Sequence, residues 1–110
     1  MAKYEKTVNR PFSQVLKTLD DEILSGSVTA SYEDGADFNI SGTCVAVRVY
    51  ERYSFTGGNR LTLTLTLVGG ADSTRVCAIT SGGSQAMFLK LNTFGENSFI
   101  NAVQEILERM

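Results

Sequence analysis

One segment, residues 60–68, constrains the fold more than any other part of the chain. It reads Arg-Leu-Thr-Leu-Thr-Leu-Thr-Leu-Val, so that leucine and threonine alternate from Leu61 to Leu67. Successive side chains of a β-strand point to opposite faces of a sheet, whereas a helix would distribute this pattern around its whole surface. The alternation therefore predicts a strand in a sheet that has one buried apolar face and one face open to water.

The segments on both sides of this strand predict further antiparallel strands. Residues 43–56 and 73–80 are rich in β-branched and aromatic residues, and glycine-containing turns separate them from the leucine strand. A short alternating segment over residues 3–9 predicts a first strand. Residues 28–40 predict a hairpin, in which two short strands flank a Glu33-Asp34-Gly35 turn.

Two segments have the residue spacing of amphipathic helices. In residues 11–24, apolar residues recur at intervals of three and four after a proline in the first turn, and Ser25-Gly26 ends the pattern. The run Asp20-Asp21-Glu22 falls on the polar, solvated side of this helix. The second helix begins at about Phe94 and continues towards the end of the chain, with its apolar residues on one stripe.

The order of these elements defines the predicted fold. It is an α+β fold, β-α-β5-α, in which both helices cover the apolar face of one antiparallel sheet. A chain of 110 residues has the size of one domain, and its composition is that of an ordinary globular protein. We therefore expect residues 1–110 to form a single domain.

Charge and composition exclude several functional classes. Ten basic and twelve acidic residues give a net charge of -2, which provides no general attraction to nucleic acid. The sequence contains no signal peptide and no apolar run that could span a membrane, so we expect a cytoplasmic protein. It has no histidine, and its two cysteines lack the spacing of metal ligands. We expect no metal and no other cofactor, and the missing imidazole disfavours catalysis.

The connection between the leucine strand and the strand before it determines which side chains share a face. A three-residue loop, Gly57-Gly58-Asn59, would place Leu65 opposite Glu51 and Leu63 opposite Tyr53. Glu51 would then lie on the leucine face, where an unpaired carboxylate is costly and its pKa tends to rise. In the alternative reading a bulge turns Glu51 outward, or Glu51 lies near the end of the sheet beyond the cover of a helix.

The same register assigns a set of basic and aromatic side chains to the opposite face. Arg48, Tyr50 and Arg52 would lie there beside the threonines, and a two-residue Gly70-Ala71 turn would add Arg75. Such a surface can hold an anionic ligand or a partner chain. The alternative is an ordinary solvated sheet face.

Residues 3–24 resemble the opening of a known structural family. A short strand runs into Asn9-Arg10-Pro11-Phe12-Ser13-Gln14-Val15-Leu16, which resembles the opening of helix-grip domains of the START and Bet v 1-like superfamily. The strand meander and the C-terminal helix extend the resemblance over nearly the whole chain. It implies a sheet that grips its C-terminal helix, with an apolar cavity between them, as in small bacterial proteins of this kind.

The leading functional hypothesis is a binding module that holds an apolar or amphipathic small molecule between the sheet and the C-terminal helix. Glu51 would be its polar contact, and apolar side chains would line the rest of the site. These are Tyr53, Phe55, Leu63, Leu65, Phe99 and Val103. The alternative is a homodimeric structural protein without a small-molecule ligand, which uses the threonine-tyrosine-arginine face or an exposed strand edge. An enzyme ranks third, and it would require Glu51 to have a raised pKa in an open cleft.

Overall fold

The computed structural model describes residues 1–26, 30–54, 59–82 and 89–110, with side chains throughout except at positions 54, 59 and 89–97. The elements are β1 (Ala2–Val8), α1 (Phe12–Gly26), β2 (Ser31–Ile40), β3 (Thr43–Ser54), β4 (Asn59–Gly69), β5 (Thr74–Gly82) and α2 (Leu89–Glu108). They form an α+β fold with an antiparallel sheet of five strands and two helices. The predicted fold class is confirmed, but the described chain has one strand fewer than the predicted order.

The missing strand is explained by β2, which is one continuous strand where the sequence predicted a hairpin. Ser31–Ile40 pairs with β3 along its length, with a bulge between Tyr32 and Asp34. Gly35 does not turn the chain. A Cβ at this position would lie 2.7 Å from the carbonyl oxygen of Val47 and 2.8 Å from the Tyr32 hydroxyl. Glycine is therefore required by the close approach of neighbouring atoms, and the predicted Glu33-Asp34-Gly35 turn is wrong.

The tight turn of this region lies at Ser41-Gly42, later in the chain than the predicted Glu33-Asp34-Gly35. Ile40 pairs with Thr43, so only Ser41 and Gly42 connect β2 to β3. Both residues have positive φ angles, 52° and 85°. Two such residues give a turn whose twist matches that of the flanking strands. The predicted first half of the hairpin begins at Val28, which lies outside the described residues.

The sheet has the strand order β1-β5-β4-β3-β2, so the first strand of the chain lies beside the last. We call the two sides the leucine face and the threonine face, after the alternating side chains of β4. The leucine face carries the core, in which β4 and β5 pack against both helices. The core residues of α1 are Val15, Leu19 and Ile23, those of α2 are Phe99, Ile100, Val103, Ile106 and Leu107, and those of β4 and β5 are Leu61, Leu63, Leu65, Leu67, Val76 and Ala78.

Hydrogen bonds from distant parts of the chain fix the start of α1 against the sheet. The amide of Phe12 donates to the carbonyl oxygen of Gly70 in the β4–β5 turn, at 2.8 Å. The Thr74 hydroxyl, which is 1% exposed, donates to the carbonyl oxygen of Arg10 at 3.0 Å. The Arg10 guanidinium donates in turn to the carbonyl oxygen of Met110 at 3.3 Å. These bonds determine where α1 crosses the sheet, and hence which part of the leucine face it leaves open.

Neither helix, over the residues that the structure describes, combines the length and the hydropathy that a membrane-spanning helix requires.

Candidate functional site

The register between β3 and β4 differs from the predicted one by three residues. Leu65 pairs with Arg48, and Leu63 pairs with Tyr50. Ser54 pairs with Asn59, so the connection consists of residues 55–58 instead of the predicted Gly57-Gly58-Asn59 loop. Because side chains alternate with a period of two, an odd shift moves every side chain of β3 to the other face.

The observed register places Glu51 on the opposite face from the predicted one. It lies on the threonine face, level with Thr62, and its Oε1 accepts a hydrogen bond from Nη1 of Arg60 at 2.6 Å. Its side chain is 28% exposed. The predicted position on the leucine face is therefore wrong. The outward orientation that the sequence left open is observed, and its cause is the register of the strands.

The side chains that were predicted to line a ligand site are divided between different parts of the molecule. Leu63, Leu65, Phe99 and Val103 lie in the core and are no more than 2% exposed. Tyr53 lies on the other face of the sheet and is 46% exposed. Phe55 lies outside the described residues. The described side chains of the predicted ligand site therefore do not line a common cavity.

The predicted arginine surface is divided as well. Arg75 lies on the threonine face as expected, and it donates to Oε1 of Glu5 at 3.3 Å. Arg48, Tyr50 and Arg52 lie on the leucine face, so their predicted exposure beside the threonines is wrong.

Arg52 contacts an aromatic ring of the core on the leucine face. Its guanidinium carbon lies 4.8 Å from the centre of the Phe99 ring, the arrangement of a cation–π contact. Burial lowers the pKa of this guanidinium below its ordinary value. Arg52 therefore packs over the core as a structural residue.

A groove of about 510 Å³ opens between α1 and the β2–β3 half of the leucine face. Its main cause is the position of the helices, since α2 contacts β1, β5 and β4 while α1 contacts α2 and β4. The groove is lined by Phe12, Ser13, Leu16, Lys17, Asp20, Leu24, Tyr32 and Arg48.

One wall of the groove is a single stripe of α1. Phe12, Leu16, Asp20 and Leu24 are spaced four residues apart, which aligns them along one side of a helix. The adjacent stripe of α1 is buried in the core and consists of Val15, Leu19 and Ile23. The helix therefore presents one apolar stripe to the core and a second, largely apolar stripe to the groove.

The acid in this stripe is hydrogen-bonded to the sheet. The hydroxyl of Tyr50, a residue with no exposed surface, donates to Oδ1 of Asp20 at 2.7 Å. Burial and this bond raise the pKa of Tyr50 above its ordinary value, so the hydroxyl remains a donor. The Tyr32 ring packs edge-on against Tyr50, with ring centres 5.9 Å apart. Aromatic and polar groups thus meet on the sheet side of the groove.

Arg48 supplies the positive charge on the sheet side. Its side chain is 16% exposed, and Nη2 donates to Oδ1 of Asp37 at 2.9 Å. Nη1 donates to the carbonyl oxygens of Ala36, at 3.3 Å, and Val47, at 2.9 Å. These bonds use three of the five N–H groups of the guanidinium, with all three acceptors in the described part of the chain. A Cβ at Gly35 would lie 3.1 Å from Cδ of Arg48, so this glycine also makes room for the arginine.

Asp20 in the groove wall accepts the hydrogen bond of the Tyr50 hydroxyl, and the raised pKa of Tyr50 keeps this hydroxyl protonated, which makes it a poor base or nucleophile. Within the described ranges, no group of three or more histidine, cysteine or acidic side chains is arranged to hold a metal ion.

Sequence reasoning missed the helix side of this groove and Tyr32. A signal was present in Asp20, which interrupts an otherwise apolar series of residues spaced by four. Its neighbours in the sequence, however, predict that it belongs to the solvated run Asp20-Asp21-Glu22. An acid within an apolar stripe indicates a polar partner on the surface that the stripe faces, here the hydroxyl of Tyr50.

Comparison with curated proteins gives no match, and comparison with solved structures gives none either. A family model matches residues 1–110, and the chain thus belongs to the family of unknown function DUF6054.

Proposed function

We propose that the protein is a binding module that holds an amphipathic small molecule in the groove between α1 and the β2–β3 half of the sheet. The observation that carries this proposal is an apolar stripe that faces polar and aromatic groups across a space of about 510 Å³. Small-molecule sites commonly have volumes of roughly 300–1,000 Å³, with apolar walls and a few polar groups that orient the ligand.

The two sides of the groove suggest how a ligand is oriented. Its apolar body would lie against Phe12, Leu16 and Leu24, where it removes partly exposed apolar surface from water. Its polar end would accept hydrogen bonds from Arg48. Because Asp37 and two backbone carbonyls already hold this guanidinium, little side-chain entropy is lost on binding.

The proposal includes a helix-grip arrangement of the fold. It is supported by the order of elements, by the position of β1 beside β5, and by the packing of α2 against β1, β5 and β4. The ligand space is proposed beside α1, since Phe99 and Val103 of α2 are themselves packed in the core. The protein would thus use the other helix as the wall of its binding site.

A fluorescence titration with 8-anilinonaphthalene-1-sulfonate, an apolar aromatic probe with an anionic end, tests the proposal. Ser13 is exposed and lines the groove, so the Ser13→Trp variant fills it from the solvent side without changing the core. We expect saturable binding of one probe per chain, and at least a tenfold loss of affinity in Ser13→Trp.

The matched control is Gln14→Trp, since Gln14 is the next residue of α1, is equally exposed and does not line the groove. This variant is expected to bind the probe as the wild type does. Equal affinities of Ser13→Trp and the wild type would refute the groove as the binding site.

A further inference from the structure

The threonine face of the sheet carries large apolar side chains that neither helix of the described chain covers. Ile40 is 65% exposed, Phe38 52%, Val68 39% and Ile79 38%. Between them lie the half-buried valines of β3, at positions 45, 47 and 49. Contiguous exposed apolar surface of this kind marks interaction sites on soluble proteins.

The register arranges this face in rows that run across all five strands. One row consists of Asp34, Val49, Thr64, Ile79 and Lys3. The next two consist of Ala36, Val47, Thr66, Cys77 and Glu5, and of Phe38, Val45, Val68, Arg75 and Thr7. In these three rows the central strands carry valine, isoleucine, threonine, Cys77 and one charged residue, Arg75, while the other charged residues, Asp34, Lys3 and Glu5, lie at the two edges. An apolar centre with a charged rim is the composition of a protein–protein interface.

We propose that a second copy of the chain covers the threonine face, so that two sheets pack face to face in a symmetric dimer. In the proposed dimer the two-fold axis runs parallel to the strands. It brings β4 over β4 of the partner and β2 over β1 of the partner, with the sheets about 10 Å apart.

The area of the threonine face is close to the area that each copy of a stable dimer buries. Five strands spaced about 4.8 Å apart give a width of about 24 Å, and nine residues give a length of about 30 Å. The resulting area of about 700 Å² is close to the roughly 800 Å² per partner that a stable interface buries.

The charges at the rim select the direction of the axis. Asp34 and Lys3 lie in the same row at opposite edges of the sheet. An axis parallel to the strands exchanges the edges within a row, so Asp34 of each copy comes opposite the partner's Lys3. An axis across the strands would instead bring β2 over β2 and β1 over β1 of the partner, so that Asp34 would share an edge with the partner's Asp34 and would not meet a Lys3.

The exposed edge of β2 is less suited to a second copy. Pairing two β2 edges would bring together the acids of both strands, which are Glu33, Asp34 and Asp37 in each. Charged side chains and a bulge on an edge strand are features that prevent such pairing.

Sedimentation velocity across a range of protein concentrations tests the proposal. We expect the wild type to sediment as a dimer at micromolar concentration, and Val47→Asp to be monomeric, because each copy would bury an unpaired charge in the apolar centre. Ile79→Lys places a charge in the same centre and provides the test if Val47→Asp fails to fold. Gln14→Asp adds the same charge on exposed α1 and is expected to remain dimeric.

Two results would overturn the proposal. One is a wild type that remains a monomer at millimolar concentration. The other is a wild-type dimer that neither Val47→Asp nor Ile79→Lys weakens, since its interface would then lie elsewhere.

A charge exchange tests the proposed axis. Lys3→Glu is expected to weaken the dimer about tenfold. The new Glu at position 3 would lie opposite Asp34 of the partner, so two like charges would meet at each of the two symmetric positions. Lys3→Glu combined with Asp34→Lys restores opposite charges and should recover most of the lost affinity. A double variant that is weaker than Lys3→Glu alone would overturn the strand-parallel axis.

Discussion

The two faces of the sheet consist of the same strands but have different surroundings. Among the described residues, the leucine face packs against both helices over β1, β5 and β4, and it opens into the groove where β2 and β3 extend past α1. The threonine face has branched side chains of moderate size and is not covered by either helix in the described chain. Because alternate residues of each strand lie on opposite faces, one face stabilises the fold and provides the groove, while the other remains available for association.

Mutation of two adjacent residues, one on each face, is expected to produce the greatest difference in the free energy of unfolding. Leu67 has no exposed surface on the leucine face, and Val68 is 39% exposed on the threonine face. We expect Leu67→Ala to lower the free energy of unfolding by about 2–5 kcal/mol, through lost burial and a cavity. Val68→Ala should cost less than about 1 kcal/mol in a monomer. Urea unfolding at low protein concentration measures both, and equal losses would contradict the assignment of the faces.

The next effect concerns the open half of the leucine face. In Gly35→Ala, the new Cβ would lie 2.7 Å from the carbonyl oxygen of Val47, so β2 must shift together with Arg48 and Tyr32 above it. We expect a loss of about 1–3 kcal/mol in stability, and weaker probe binding because the groove changes shape.

Gly26→Ala is the control for this substitution, because a Cβ at Gly26 would have no atom of the described residues within 4 Å. It should leave stability unchanged or slightly raised. If both alanine variants bind the probe as tightly as the wild type, Gly35 does not shape the groove.

Loss of the hydrogen bond between the groove wall and the sheet is expected to lower stability by a smaller amount. Tyr50→Phe removes the donor to Asp20 and leaves a carboxylate without its partner. We expect a loss of about 1–2 kcal/mol by urea unfolding. Tyr32→Phe removes a hydroxyl from the neighbouring ring and is expected to cost less than half as much. The reverse order would show that the Tyr50 hydroxyl does not hold α1.

The pH dependence of the same tyrosine is the most subtle prediction. An unfolded tyrosine ionises near pH 10, whereas the raised pKa of Tyr50 keeps it protonated in the fold. The unfolded state therefore loses its proton first, and the contribution of Tyr50 to stability, complete below about pH 10, is lost as the pH rises further. Absorbance at alkaline pH should show one of the four tyrosines ionising only upon unfolding. Tyr50→Phe should lack this step, and its persistence in the variant would contradict the assignment.

Local pattern explains what could be predicted from the sequence. The alternation from Leu61 to Leu67 and the apolar spacing of α1 depend on neighbouring residues, and both elements are present as expected. The register of β3 depends on the position and length of one connection. Four connecting residues at 55–58, in place of three at 57–59, shift the register by three residues and place Glu51 and Arg48 on the faces opposite to those predicted.

The role of Gly35 and the position of the groove depend on non-local contacts, which the sequence pattern does not reveal. Gly35 has the composition of a turn, but its role is to allow the approach of Val47 and Tyr32, which no local pattern reveals. The groove exists because bonds from Thr74 and Gly70 fix the start of α1, some 60 residues earlier in the chain. Its lining could be assigned only once the helix had been placed on the sheet.

We propose that the groove, and neither the core nor the threonine face, binds an amphipathic molecule. Backbone amide chemical shifts, recorded by NMR while 8-anilinonaphthalene-1-sulfonate is added, test this claim most directly. We predict that the shifts change along the groove, at Phe12, Leu16 and Leu24 of α1 and at Tyr32 and Arg48 of the sheet. Changes confined to the threonine face, around Val68 and Ile79, or changes around Phe99 and Val103 in the core, would contradict the account.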